Sequence, residues 1–247
     1  MTLKIDLNCD MGEGCGNDAE LMDYVSSINI ACGYHAGDAV TMRRTVDTAI
    51  EKCVAIGAHP GYADREDFGR TPMDLPASEV YKIVLDQINQ LRDVCTAAGA
   101  KLGHVKPHGA LYNQAAKDDE LAAAIARAVR AVDENLTLFG LSGSAMIRIA
   151  HDLGLRTASE VFADRTYRPD GSLMPRTEPN ALIHNIDTAV AQVVQMVRSG
   201  TVTAVSGKTI PIFADTICIH GDGENALDFA KAIWGNLRES GIDIRPF

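Results

Sequence analysis

The chain has 247 residues, 46% of them hydrophobic and 23% charged, enough for one large α/β domain with a substantial core and too apolar for a disordered chain. Its 33 acidic against 23 basic residues give a formal charge of −10, and no Lys/Arg-rich run offers a footprint for a phosphate backbone, so no nucleic-acid partner is expected. No apolar stretch is long enough to span a bilayer and the N-terminus lacks a signal-like apolar region, so no membrane association is expected and the expected location is the cytoplasm.

Short β-branched runs alternate with longer stretches of helical period. The first predicted strand is Leu3–Leu7, followed by a loop Asn8–Asn17 and a short helix near Asp18–Tyr24. Strands at Ile28–Ala31 and Val54–Ala58 follow, the first leading to a helix over about Ala39–Cys53 and the second to a longer loop, His59–Pro76. The third helix, about Ser78–Ala98, places Val80, Ile83, Val84, Ile88, Leu91 and Val94 on one face. Strands at Lys101–Val105, Leu136–Leu141 and Arg156–Phe162 are followed by helices at about Gln114–Val132, Ser144–Leu153 and Asp187–Ser199. A last strand, Ile217–Ile219, precedes a helix Asn225–Glu239, and Thr201–Phe213 stands outside the repeat as a small hairpin.

Seven βα units imply parallel strands joined by right-handed crossovers. At this length they point to one domain over residues 1–247, a seven-stranded (β/α) barrel, with a doubly wound open sheet as the alternative. A barrel does its chemistry at the C-terminal ends of its strands. Polar, ionisable groups do crowd there: Asn8, Asp10 and Glu13; His35 and Asp38; His59, Asp64 and Arg65; Lys106, His108 and Tyr112; Glu160, Asp164 and Arg165; His220 and Asp222. Four of the seven histidines fall in these segments.

Single members have plainer readings. Asp38 and Asp222 precede helices and equally suit N-caps. His104, inside a strand, suits the core, and His151 and His184 suit the surface. The six cysteines include no CxxC pair, so free thiols are expected, those at Cys9, Cys32 and Cys218 as small buried groups. Gly207-Lys208-Thr209 lacks the spacing and following helix of a phosphate loop.

The clusters, in this order, resemble the LamB/YcsF family. The resemblance runs from Ile5-Asp6-Leu7-Asn8-Cys9-Asp10-Met11-Gly12-Glu13 through Asn29–Asp38, Gly57–Tyr62 and Lys106–Tyr112 to Cys218-Ile219-His220-Gly221-Asp222. It implies a barrel of the glycoside hydrolase/deacetylase type. It further implies the A subunit of a 5-oxoprolinase that cleaves 5-oxoproline to L-glutamate with ATP hydrolysis, alongside partner subunits B and C.

Such a reaction needs a general base for water, charge stabilisation, an anchor for the substrate carboxylate and an acid for the departing nitrogen. Asp10, Glu13, His35, His59, His108 and Glu160 can supply acid and base functions, and Lys106 can neutralise phosphate. Arg65, Arg70, Arg165 and Arg176, on the two long loops, are anchor candidates, and Asn8, Tyr112, His220 and Asp222 complete the expected substrate contacts. ATP with Mg2+ is expected in the assembled enzyme. Asp10, His35, His59 and His108 form a set able to bind one divalent metal ion, although the same groups also make a plain acid–base site. Two other readings stand beside lactam cleavage: a metal-dependent carbohydrate deacetylase, and a non-catalytic substrate-binding subunit.

Overall fold

A computed structural model describes residues 3–221 and 226–247. Its sheet is a closed barrel of seven parallel strands, β1 (Lys4–Met11), β2 (Ser27–Ala31), β3 (Ala55–His59), β4 (Leu102–Val105), β5 (Thr137–Leu141), β6 (Arg156–Phe162) and, after a hairpin of β7 (Thr201–Thr203) and β8 (Thr209–Pro211), β9 (Thr216–Ile219). Closure is made by β9, which pairs with β6 on one side and with β1 on the other. The hairpin is antiparallel, and Gly207 and Lys208 lie in its turn, where no helix follows to receive a phosphate. The open-sheet alternative is excluded.

Helices cover the outside of the barrel. After the single turn α1 (Asp18–Leu21) come α2 (Ala39–Glu51), α3 (Ala77–Ala97), α4 (Gly109–Ala115), α5 (Asp119–Val132), α6 (Ala145–Asp152), α7 (Ile186–Ser199) and α8 (Ala226–Glu239). Each long helix turns an apolar stripe inward; α3 buries Val80, Val84, Ile88, Leu91 and Cys95 at helical spacing. Full burial of each such aliphatic side chain contributes about 1.5–3 kcal/mol. Asp38 is the N-cap of α2, its carboxylate accepting from Thr41 N–H at 2.7 Å. No helix among the described residues is long and apolar enough to cross a membrane.

The structure corrects three boundaries. The first strand runs to Met11, so Asn8, Cys9, Asp10 and Met11 are strand rather than loop. Their polarity follows from the barrel: Ile5, Leu7, Cys9 and Met11 face the helices, while Asp6, Asn8 and Asp10 face the interior. The helix expected over Gln114–Val132 is two helices, because Asp118 accepts from the N–H groups of Glu120 and Leu121 and starts α5 afresh. A short strand, β10 (Asp243–Ile244), not expected from the sequence, adds in parallel to the start of β1. Asn225 and Asp222 lie outside the described residues.

The barrel interior is polar from bottom to top. Asp6 is buried and accepts from Ser26 and Ser27 hydroxyls at 2.6 Å and from Thr216 at 2.5 Å. Asn8 donates to Thr216 Oγ1 (2.7 Å) and Glu160 Oε1 (3.0 Å), while Asn29 donates to Asn8 Oδ1 (2.8 Å) and Asp10 Oδ1 (2.9 Å). His104 is a core residue: its ring stacks on Phe139 at 4.2 Å and its Nε2 lies 2.9 Å from Asn29 Oδ1. Gly57, on the adjacent strand, leaves room for that ring, since a Cβ there would sit 2.1 Å from His104 Nε2. Burial holds the His104 imidazole neutral, with its pKa lowered to about 3. Buried polar groups are retained at little cost only where they are hydrogen-bonded, and this ladder pairs each of them.

Candidate active site

Lys106, just past the end of β4, reaches across the top of the barrel. Its Nζ lies 2.9 Å from Glu160 Oε1, 3.0 Å from Asp10 Oδ1, 3.2 Å from Asn8 Oδ1 and 3.0 Å from Cys218 Sγ. Burial works against the ammonium, but Asp10 and Glu160 more than offset it, and its pKa lies well above the lysine norm. Burial alone would raise Asp10; His59 and Lys106 instead hold its carboxyl well below the usual carboxylate range. Tyr112, on α4, donates to Glu160 Oε2 at 2.7 Å. Burial and that carboxylate keep its phenol protonated. Cys218 is likewise kept a thiol by burial.

Beside this ion cluster stand three histidines brought from three different strand ends. His59 Nε2 lies 3.3 Å from Asp10 Oδ2 and 2.9 Å from His108 Nδ1. The rings of His35 and His108 stack in parallel, 3.8 Å between centroids. Glu13 Oε1 faces all three, 3.1 Å from His35 Nε2, 3.4 Å from His108 Nδ1 and 3.7 Å from His59 Nε2. Burial opposes charge on His59, but Asp10 and Glu13 prevail and raise its pKa. Burial and the neighbouring His59 push His35 down to about 3, and the same causes lower His108.

The loop after β3 encloses these rings. Phe68 packs edge-on against His35 and His108 and holds its carbonyl 2.8 Å from His108 Nε2, with a backbone φ of +57° that a phenylalanine rarely adopts. Gly61 lies against His35; a Cβ there would approach His35 Nδ1 to 2.7 Å. Gln87 of α3 clamps Gly61 with two hydrogen bonds, of 2.8 and 3.0 Å.

A cavity of about 590 Å³ opens above the cluster. Asp10, Glu13, His59, Lys106, His108 and His220 form its floor, and Arg70, Arg165 and Arg176 reach it from the two long loops. Arg70 lies over the Phe68 ring at 4.9 Å. Arg165 donates to Met174 O, and burial and the neighbouring Arg176 bring its pKa down to about 10. His220 stacks on Phe162 and pairs with Asp164 at 2.8 Å.

The structure thus gathers almost every residue expected from the sequence. Asn8, His35 and Glu160 are buried next to residues of the cavity lining rather than in the lining itself. Arg65 does not line the cavity either, and its guanidinium donates to the carbonyls of Gly33 (2.7 Å) and Gly37, tying down the loop after β2. Asp222 lies outside the described residues. Asp10 flanks the histidines, whereas Glu13 is the carboxylate whose donor atom lies within 4.8 Å of those of His35, His59 and His108. Sequence reasoning passed over Asn29, Thr216, Phe68 and Gln87 as contributors. For the first two the signal was present, a polar residue at the inward position of a buried strand. Cys32 donates to Ile30 O, and burial pushes its thiol up to about 12, so it is not a poised nucleophile. Cys9, Cys32, Cys95 and Cys218 are free, buried thiols.

The model of the LamB/YcsF family matches residues 5–247. The chain belongs to the LamB/YcsF family. Among solved structures, this LamB/YcsF chain is similar to a lactam utilization protein from Thermus thermophilus, at 42% identity and a TM-score of 0.94, covering 99% of this chain and 100% of the other. It is also similar to the T48 deacetylase (14% identity, TM-score 0.52, 98% of this chain and 87% of that one). The Bacillus subtilis peptidoglycan deacetylase PdaC compares at 13% identity and a TM-score of 0.50, over 99% of this chain and 87% of that one. At such identities the likeness is one of fold: the LamB/YcsF chain is a deacetylase-type (β/α) barrel.

Proposed function

We propose that this chain is the A subunit of an ATP-coupled 5-oxoprolinase, opening the lactam of 5-oxoproline to L-glutamate in the cytoplasm together with subunits B and C. Family membership and the similar lactam utilization protein support a lactam-opening role. The observation that carries the reading is the cavity itself, which joins an arginine rim to a floor of ammonium, carboxylate and imidazole. A five-membered lactam is a poor electrophile, and transfer of a phosphoryl group from Mg2+-bound ATP to its oxygen would open its carbon to water. Arg70, Arg165 and Arg176 suit the anionic ends of such reactants, since a guanidinium fork binds carboxylate or phosphate through two hydrogen bonds. Lys106, fixed between Asp10 and Glu160, offers positive charge to an oxyanion. Asp10, held ionised, would orient water, and His59, whose pKa Asp10 and Glu13 raise against its burial, would supply a proton to the departing nitrogen.

The test is glutamate release from 5-oxoproline by the chain mixed with its two partner subunits and ATP. Intact 5-oxoproline after incubation refutes the proposal. An Asp10→Asn variant that binds 5-oxoproline normally but does not turn it over excludes a purely substrate-binding role. One observation favours a second reading, a metal-dependent carbohydrate deacetylase: three imidazoles and a carboxylate converge beside the cavity. Acetate release from an acetylated sugar by the chain alone would establish it.

A further inference from the structure

We infer that His220 is the general base for the lactam-opening water, its Nε2 taking the water proton, with Asp164 the positioning residue behind it. This role rests on the lactam reading, which names its substrate but no acceptor for the water proton. The pair is set by strand register. β6 and β9 run in parallel with Phe162 opposite Cys218, and the ladder continues as Ala163 N–H donates to Cys218 O at 3.1 Å. Asp164 and His220 each follow that pair by two residues, the spacing that returns a side chain to the same face. His220 Nδ1 lies 2.8 Å from both Asp164 oxygens. The imidazole lies along the Phe162 ring, 5.6 Å between centroids and 18° between planes, which fixes its orientation.

One ring nitrogen is left open. Burial opposes the Asp164 charge, but His220 prevails and keeps the carboxyl ionised. An ionised carboxylate only accepts, so Nδ1 carries the proton and Nε2 of the neutral ring presents a lone pair. Nε2 has no hydrogen-bond partner among the described residues, and the ring lines the cavity. A carboxylate that fixes one nitrogen of an imidazole while the other faces the reactants is the arrangement of a histidine base.

Distance places the water. A ring nitrogen of His220 and a carboxylate oxygen of Asp10 lie within 4.8 Å of each other. Two acceptors that each take a hydrogen bond of about 2.8 Å from one water stand about 4.5 Å apart, so a single water spans that gap. Asp10 is a poor destination for the proton, because it already holds Asn29 Nδ2 (2.9 Å), Lys106 Nζ (3.0 Å) and His59 Nε2 (3.3 Å). In the barrel β1 stands between β9 on one side and β2 and β3 on the other, so His220 and His59 flank Asp10 from opposite sides. In the step, a lone pair of the water oxygen forms the bond to the carbon of the lactam phosphorylated on its oxygen. The C=N π pair of that activated lactam moves onto nitrogen, and one water proton passes to His220 Nε2. Asp164 stays ionised and stabilises the imidazolium so formed. His59, on the far side, is left to serve the departing nitrogen.

Two measurements separate this role from the reading it rests on. On the chain alone, two-bond 1H–15N correlation of protein labelled with 15N-histidine reads the tautomer at pH about 8, above the ordinary imidazole range. The His220 signals are those absent from His220→Gln. The expected result is a proton on Nδ1 and none on Nε2, with that preference lost in Asp164→Asn; a proton fixed on Nε2 in the wild type overturns the assignment. With the proposed partner subunits, ATP and 5-oxoproline, glutamate release gives kcat and KM. His220→Gln, whose amide hydrogen-bonds but cannot take up a proton, should lose about 100–10,000-fold in kcat and keep KM within about 3-fold. Asp164→Asn should move the same way, and it supplies both readings should His220→Gln not fold. A kcat retained in His220→Gln, or a loss carried by KM, marks a substrate contact only and overturns the base role while the lactam reading stands. No glutamate from the wild type overturns the lactam reading and the base role with it.

Discussion

Replacing Lys106 by methionine keeps the length of the side chain and removes its charge from between Asp10 and Glu160. The carboxylates lie 3.0 and 2.9 Å from Nζ, and the Lys106, Asp10 and Glu160 side chains are only 3%, 10% and 0% exposed. Removing one partner of a buried ion pair costs about 3–5 kcal/mol, because the remaining charge is left uncompensated. Glu160 keeps donors in Asn8 (3.0 Å) and Tyr112 (2.7 Å), and Asp10 keeps His59, which places the loss near the lower end, about 3 kcal/mol. For a chain of this size that is a fall of about 6–12 °C in Tm. The assay is thermal and urea unfolding of the wild type, Lys106→Met, Glu160→Gln and the double variant. The double variant should recover about 1–2 kcal/mol relative to the sum of the singles, because the Glu160 carboxylate is no longer buried without its ammonium. Unfolding of Lys106→Met within about 2 °C of the wild type, or strict additivity in the cycle, would refute the reasoning.

Three further outcomes are expected. Gly57→Ala forces a methyl group onto the His104 ring and should destabilise the chain by about 1–3 kcal/mol or more by urea unfolding, with the His104–Asn29 hydrogen bond lost. Burial works against the Asp164 carboxylate, but His220 offsets it and leaves the folded pKa below its unfolded value. The stabilisation is therefore present above the usual aspartate pKa and is lost as pH falls through the lower folded value. Asp164→Asn should accordingly cost about 1–3 kcal/mol at pH about 7, with the gap to wild type closing in acid; an equal gap at both pH values would contradict the pairing. On the proposed function, Arg176→Ala, assayed with the proposed partner subunits, should raise KM for 5-oxoproline about 10–100-fold with a smaller change in kcat, read by steady-state kinetics, whereas Arg65→Ala, away from the cavity, should leave KM near wild type.

Most of the barrel was legible in the sequence because its signals are local. Seven β-branched runs, each followed by a helical period, dictate parallel strands, and the polar clusters after them identify one face as the working one. Local signals also misled where two readings share a composition. Asn8-Cys9-Asp10-Met11 is polar enough to read as loop, yet it is strand, because the interior it faces is itself polar. The run Gln114–Val132 has continuous helical period, and only the capping carboxylate of Asp118 reveals the break.

What only the tertiary structure decided is which side chains meet. Lys106 and Cys218 are 112 positions apart in the chain and 3.0 Å apart in space, and Asn8 and Glu160 are separated by 152 positions. Such proximity depends on the register of strands around a closed barrel, which sequence spacing does not encode. The same closure turned Arg65 away from the cavity to its neighbouring loop and set Glu13 rather than Asp10 at the centre of the three histidines. The sequence determined that this chain folds into a barrel with an ionisable mouth; closure of the barrel determined how those charges and imidazoles are paired.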